Sequence, residues 1–346
     1  MDSSQAGNTR TAATNLGGAI GYRPLEGKLA IITGASRGKD MVLLCLVCLI
    51  LIHVFCCFLM YIYITISQRK ITILTNNIRP QGIGAAIAEN LASKGANLVL
   101  NYTSDSSASL ADDLSKSLQE THGISTLIIQ ADVSEKAGAD HIVNTTKNHF
   151  SHPKTGKFQI DILINNAGVA KNQEIRDIQI SDFERLYKIN VLGPLLLLQA
   201  AIDYLPHDRS GRIVNVSSVS STNGSVGQTV YGGTKAALEA MTRTWSRELN
   251  NRATVNSVNP GPVKTDMWAG TTVEFKQKTK PWVMNTPMSE VRPDIDDKDL
   301  VDDAKVLGGR PAYPSEIGGI VGMLCTPDSV WCTGQVVCAN GGMVMR

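Results

Sequence analysis

The chain has 346 residues, enough for one large α/β domain or two smaller ones, since such domains of about 250 residues are ordinary. Its net charge is +2 with 18% charged residues, which leaves no basic excess of the kind that holds nucleic acid. The seven cysteines form neither a disulfide framework nor zinc-ligand spacing; they read as buried thiols of a reducing compartment, with no metal site.

Residues 1–24 are rich in Ser, Thr, Asn, Gly and Ala and lack the charged start and apolar run of a secretory signal. They are expected to form a flexible tail, and the protein to be cytoplasmic. From there on, strands and helices alternate, which predicts a parallel α/β sheet of about seven strands in one doubly wound domain over 25–346. Lys28 to Thr33 is the first strand, ending at Gly34. Ile83 to Lys94 is a helix with Ile83, Ile87 and Leu91 on one face, closed by Gly95. Further strands are predicted at Asn97–Tyr102, Ser125–Gln130, Ile160–Asn165, Arg212–Ser217, Thr254–Asn259 and Gln335–Ala339. Helices fall at Ser106–Thr121, Asp140–Phe150, Ile180–Leu205 and Val230–Leu249. Between Asp266 and Arg310 the rhythm stops, and Trp268, Trp282, Met284 and Met288 are scattered among charges and prolines. The stretch 266–310 leaves from the carboxyl end of a strand, where open α/β sheets bind ligands, and is read as a substrate cover.

One segment breaks the pattern. Met41 to Ile66 carries no charged residue and exceeds the about 20 residues that cross a bilayer. A span at this point would separate the first strand from its own helix, at a turn that feeds a phosphate site. The insert over 38–81 therefore reads as a retained intron in the gene model. Gly38-Lys39-Asp40 can be encoded with a GTAAG donor, and Gln81-Gly82 with an AG acceptor in the same phase. Removing 38–81 leaves Thr33-Gly34-Ala35-Ser36-Arg37-Gly82-Ile83-Gly84 unbroken. The alternatives are a transmembrane segment over 41–66, which would make the protein membrane-anchored, and an inactive product of the unspliced gene.

The chemistry concentrates late in the chain. Tyr231 and Lys235 lie four residues apart, on one face of a helix, with Ser218 upstream. A phenol, an ammonium and a hydroxyl so placed can protonate a carbonyl oxygen while a cofactor delivers hydride. Ser217 and Ser220 are alternatives for the serine, and Asn190 could simply tie helix to strand. Glycines after the first strand let backbone approach phosphate oxygens at a helix N-terminus. At the end of the second strand, where NAD-binding folds carry an acid, stand Asn101, Tyr102, Thr103 and Ser104. With no carboxylate there and Arg37 nearby, NADP(H) is favoured over NAD(H).

Taken together, the TGASRG…GIG loop, Asn165-Asn166-Ala167-Gly168, Asn190, Ser218, Tyr231-x-x-x-Lys235 and Asn259-Pro260-Gly261 resemble the short-chain dehydrogenases/reductases. Strand two is similar to that of fungal naphthol reductases and bacterial ketoacyl-carrier-protein reductases. The resemblance implies a Rossmann-type fold and reversible reduction of a ketone to a secondary alcohol with NADP(H). Tyr231 would be the acid, Lys235 would lower its pKa and hold the nicotinamide ribose, and Ser218 would bind the substrate oxygen. Asn190 would hold a water that relays protons, and Thr265 would orient the carboxamide. Cofactor contacts are expected from Gly34, Ser36, Arg37, Gly38, Gly82, Ile83 and Gly84, then from Asn101, Ser104 and Asp132. Further contacts are expected from Asn166, Ala167 and Gly168, and from Pro260, Gly261, Val263 and Thr265. A homo-oligomer, dimer or tetramer, is a family expectation. The substrate is expected to be a small carbonyl compound, and the tryptophans and methionines suggest an apolar, cyclic ketone. A place in fungal secondary metabolism follows from the resemblance alone.

Overall fold

The structure, a computed structural model, describes residues 23–35 and 82–345. The tail up to residue 22, the apolar insert 38–81 with four of the cysteines, and three expected cofactor contacts (Ser36, Arg37 and Gly38) lie outside the described residues.

Seven strands form one sheet: β1 (Leu29–Thr33), β2 (Asn97–Tyr102), β3 (Thr126–Gln130), β4 (Ile162–Asn165), β5 (Gly211–Val216), β6 (Ala253–Val258) and β7 (Val336–Val337). Their order is β3-β2-β1-β4-β5-β6-β7, and every pairing is parallel. The central strands β1 and β4 are largely apolar because both faces of a parallel sheet are covered. Successive side chains alternate between the two faces. Ile32, Leu98, Leu100, Ile162 and Ile164 join one core with Ile87 and Leu91 of α1 (Ile83–Ser93). Ile31, Val99, Leu163, Ile213 and Val255 join a second core on the opposite face. Helix α2 (Ala108–His122) packs on β2 and β3, and α3 (Lys136–Phe150) supplies Ala139, Ile142 and Val143 to the second core.

The helix expected over Ile180–Leu205 is interrupted. It runs as α4 (Ile180–Tyr187), a π-helical turn at Lys188–Leu192 and α5 (Gly193–Ala201), with a 3₁₀ turn at Ile202–Tyr204. The cause is Pro194. It has no N–H for the Asn190 carbonyl, the acceptor four residues back, and the Gly193 N–H reaches five back to Lys188 instead. This run is long and apolar enough to cross a membrane. Leu197, Leu198 and Ala201 are nonetheless buried in the second core, as in a core helix of a layered domain. Helix α6 (Thr229–Glu248) lies beside it and contributes Leu238 and Trp245 to the same core.

The stretch 266–310 is not irregular. It holds α7 (Asp266–Ala269), α8 (Val273–Met284) and α9 (Lys298–Leu307). The Thr265 and Thr272 side chains cap the first two by accepting from the Trp268 and Phe275 N–H groups. Helix α8 escaped the periodic reading because it buries only Val283 and contains Pro281. The far end of the stretch is tied down by Arg310. Its guanidinium donates to Glu316 at 2.8 and 3.0 Å and sits 3.5 Å from Asp296. Glu316 belongs to the first turn of α10 (Pro314–Cys325), which packs on α1. Of the described cysteines, Cys325 is buried with its thiol pushed up to about 12 by that burial. Cys332 is half-buried, whereas Cys338 is exposed, contrary to expectation.

Candidate active site

A cavity of about 1030 Å³ opens along the carboxyl ends of the strands. Its phosphate end is built from β1, β4 and the start of α1. The Thr33 hydroxyl donates to the Ile164 carbonyl and accepts from the Asn166 and Ala167 N–H groups, both at 3.0 Å. The Asn166 amide donates to the carbonyls of Thr33 and Gly34. Those bonds bring Gly84 so close that a Cβ there would fall 2.6 Å from Asn166 Nδ2, 2.7 Å from the Gly34 carbonyl and 2.9 Å from Ala35 Cα. Gly82 caps α1 with extended backbone. The first N–H groups of the helix, which have no intrahelical partner, therefore face the cavity mouth beside Ile83 and Gly84. Glycine at 84 lets the start of α1 pack directly on the loop after β1, and the free N–H groups of that helix end fit the pyrophosphate of a dinucleotide.

The catalytic end is carried by β5 and α6. Ser218 follows β5, and its side chain caps the short 3₁₀ turn Val219–Ser221. Helix α6 packs hard against that turn: a Cβ on Gly232 would lie 2.5 Å from the Ser220 carbonyl oxygen. This close approach sets the buried Tyr231 phenol beside Ser218. One turn on, the Lys235 ammonium is 5.8 Å from the centre of the Tyr231 ring and donates to the Val216 carbonyl at 2.8 Å. Burial pulls Lys235 down to about 8, with Glu239 opposing. Burial also pushes the Tyr231 phenol up, and only Ser218 pulls it down. Burial is the largest influence on this phenol in the protein alone, where the Lys235 ammonium is aimed at the Val216 carbonyl.

Asn190 is fully buried at the π-helical turn. Its side chain accepts from the Val169 N–H and donates to the Val169 carbonyl and to Thr234 Oγ1. The amide thus ties the end of β4 to α6, while its own backbone carbonyl lacks the usual helical donor because of Pro194. Ser217 donates to Glu239 at 2.7 Å, Ser220 to Gln228 at 2.5 Å and Ser218 to Ser220 at 3.0 Å; of the three, Ser218 is the one that acts on the Tyr231 phenol.

Ser104 and Asp132 line the adenosine end of the cavity, and Ala167 and Gly168 its middle. Pro260, Gly261, Val263 and Thr265 line the opposite wall. Asn101 does not. Its amide turns to the Tyr102, Ile129 and Ala131 carbonyls at 3.0–3.2 Å and is buried among strand ends. Tyr102, Thr103, Ser106 and Ser107 line the cavity there instead, and no carboxylate stands among them. Sequence reasoning missed Thr33, whose role needs the β1–β4 pairing, and Gln228, which i,i+3 spacing to Tyr231 could have flagged. Of the expected cover residues, Trp268 and Trp282 line the cavity, whereas Met284 and Met288 are exposed outside it.

A family model described as short chain dehydrogenase matches residues 79–274. The chain belongs to the short-chain dehydrogenase/reductase family. The match begins at the last residues of the insert, just before Gly82. The chain is 50% identical to an L-xylulose reductase of Aspergillus niger, over 80% of this chain and 97% of the relative. It is 44% identical to an L-xylo-3-hexulose reductase of Hypocrea jecorina, over 93% and 98%. Among solved structures, a blue fluorescent protein from a metagenomic library in complex with NADPH superposes with a TM-score of 0.64 at 27% identity, over 93% of this chain and all of that one. As a short-chain dehydrogenase/reductase, the protein is an oxidoreductase acting between an alcohol and a carbonyl, on an NADP-binding Rossmann fold.

Proposed function

We propose that this short-chain dehydrogenase/reductase reduces an open-chain polyhydroxy ketone to the corresponding alcohol with NADPH, reversibly. The observation that carries the reading is the convergence of Ser218, Tyr231 and Lys235 at one end of a cavity whose other end is the start of α1. The names of the two relatives favour a ketose over the apolar cyclic ketone suggested by sequence. Between Tyr102 and Ser107 the cavity is lined by hydroxyls and a phenol, and the Asp105 carboxylate is turned onto Gln130, which supports NADP(H) over NAD(H).

A nicotinamide dinucleotide bound along this cavity supplies the hydride. Tyr231 gives its proton to the carbonyl oxygen as charge develops there. Ser218, whose hydroxyl proton goes to Ser220 in the free protein, turns it to the same oxygen when substrate binds. Lys235 places positive charge one helical turn below and stabilises the phenolate left behind. The Asn190 carbonyl, without its helical donor, is placed to accept from a water on the proton path. The stretch 266–310 covers the substrate with Trp268 and Trp282. We place the working protein in the cytoplasm as a homo-oligomer, made from a transcript without the 38–81 codons.

The test is NADPH oxidation with L-xylulose and with a cyclic ketone, on the wild type and on Tyr231→Phe. The variant is expected to lose at least about 100-fold in kcat while NADPH binding, read by fluorescence, is kept. Near-normal turnover in the variant would refute the assignment, and preference for the cyclic ketone would refute the substrate class.

A further inference from the structure

A chain of side-chain hydrogen bonds leaves the catalytic serine and runs along one wall of the cavity. Ser218 Oγ donates to Ser220 Oγ at 3.0 Å, and Ser220 Oγ donates to Gln228 Oε1 at 2.5 Å. Gln228 Nε2 donates to Asn172 Oδ1 at 3.1 Å. All four residues line the cavity. The chain crosses two loops, the one after β4 and the one before α6. These are pinned together by the Gln173 N–H on the Gly227 carbonyl at 2.8 Å. The catalytic acid–base pair does not need this row, and its two amides extend away from the reacting centre toward the outer cavity.

From this row, and resting on the reading above, we propose that Gln228, with Asn172, recognises the hydroxyl group on the carbon next to the reacting carbonyl. The ligand class is an uncharged α-hydroxy ketone. A hydroxyl both donates and accepts, and each amide in the row keeps capacity of both kinds. Gln228 Oε1 has a second lone pair and Nε2 a second N–H, and the Asn172 amide adds two N–H groups. With the carbonyl oxygen at Ser218 and Tyr231, the next carbon lies toward Ser220 and Gln228. The row is fixed before the substrate arrives, so little ordering is required on binding. The half-buried Gln228 also loses water when the cavity fills, whereas the exposed Asn172 keeps part of its solvent. A ketone without the hydroxyl leaves the spare capacity of the Gln228 amide unpaired, and such a site rejects the deoxy analogue more strongly than an apolar wall would. The opposite wall, with Trp268 and Phe275, offers apolar contact to either ligand and does not discriminate.

Trp268 and Trp282 line the cavity, so binding is readable by tryptophan fluorescence without turnover. The full chain, loaded with NADP+, is titrated with L-xylulose and with methyl propyl ketone, the same carbon chain without hydroxyls. Wild type should bind L-xylulose at least about tenfold more tightly than the plain ketone. Gln228→Leu and Asn172→Leu should each shrink that ratio severalfold. A ratio of two Kd values from one sample does not depend on how much of a variant has folded. The proposal is overturned if wild type shows no preference, or if both variants keep it. NADPH turnover stands apart as a readout. Binding that follows the row without any turnover would sink the reductase reading and leave this inference standing; turnover of L-xylulose with an unchanged ratio would do the reverse.

Discussion

Lys235 offers a test that does not depend on knowing the substrate. Its ammonium is buried, with a pKa near 8 against 10.5 when exposed. Between those values the unfolded chain holds more protons than the folded one, so stability contributed by this residue rises with pH. At pH 7 the burial costs about 3 kcal/mol; at pH 9.5 the remaining cost is about 1.4 kcal/mol, so the gain is about 2 kcal/mol. Lys235→Met removes the titration but keeps the volume. The variant also loses the bond to the Val216 carbonyl, but that loss is independent of pH and cancels in a difference of differences. Urea midpoints of both proteins at the two pH values give the number. Wild type should gain about 2 kcal/mol on the variant as pH rises. Parallel behaviour, within a few tenths of a kcal/mol, would mean that the ammonium is not desolvated and that its electrostatic part in the mechanism is wrong.

Two further outcomes follow from particular contacts. Gly232→Ala places a Cβ 2.5 Å from the Ser220 carbonyl oxygen. It should cost about 1–3 kcal/mol and lower kcat more than NADPH affinity, because it spreads Ser218 from Tyr231; thermal melts and steady-state rates together check this, and an unchanged kcat would contradict it. Deleting residues 38–81 joins Arg37 to Gly82 and should tighten NADPH binding at least about tenfold, in keeping with one or two recovered charge-assisted bonds. Sequencing the mature transcript across the codons for Arg37 to Gly84 provides the independent check. Equal NADPH affinity with and without the segment, or transcripts that retain it, would remove the intron reading.

Much of the architecture was legible because its signals are local. LAIIT and ILIN are largely apolar runs that only a doubly covered strand favours, and both became central strands. Tyr231 and Lys235 were legible because four residues on a helix fix a shared face. What was not legible depended on where a side chain turns. Asn101 sits at the expected strand end, but its amide had a choice between ligand and neighbouring carbonyls, and the β3 carbonyls took it. The π-helical turn was written in Pro194, yet its consequence, a carbonyl without its usual donor at Asn190, emerges only when the helix is built. Glu239 gave no sequence signal at all. It is buried one turn beyond Lys235 and accepts from Ser217 and Ser221 on either side of Ser218.

The proximity of Ala35 to Gly84 has a practical consequence. Those residues flank the interruption, and they are already in contact across β1 and α1. Closing a longer loop between neighbouring anchor points adds little entropy cost, so the sheet and both cores can assemble whatever the sequence between them. Through loop closure the interruption costs folding little, and its effect there falls on ligand binding. Screens of gene collections that score expression or thermal stability would pass such a chain as sound, and only a cofactor titration would separate it from its working counterpart.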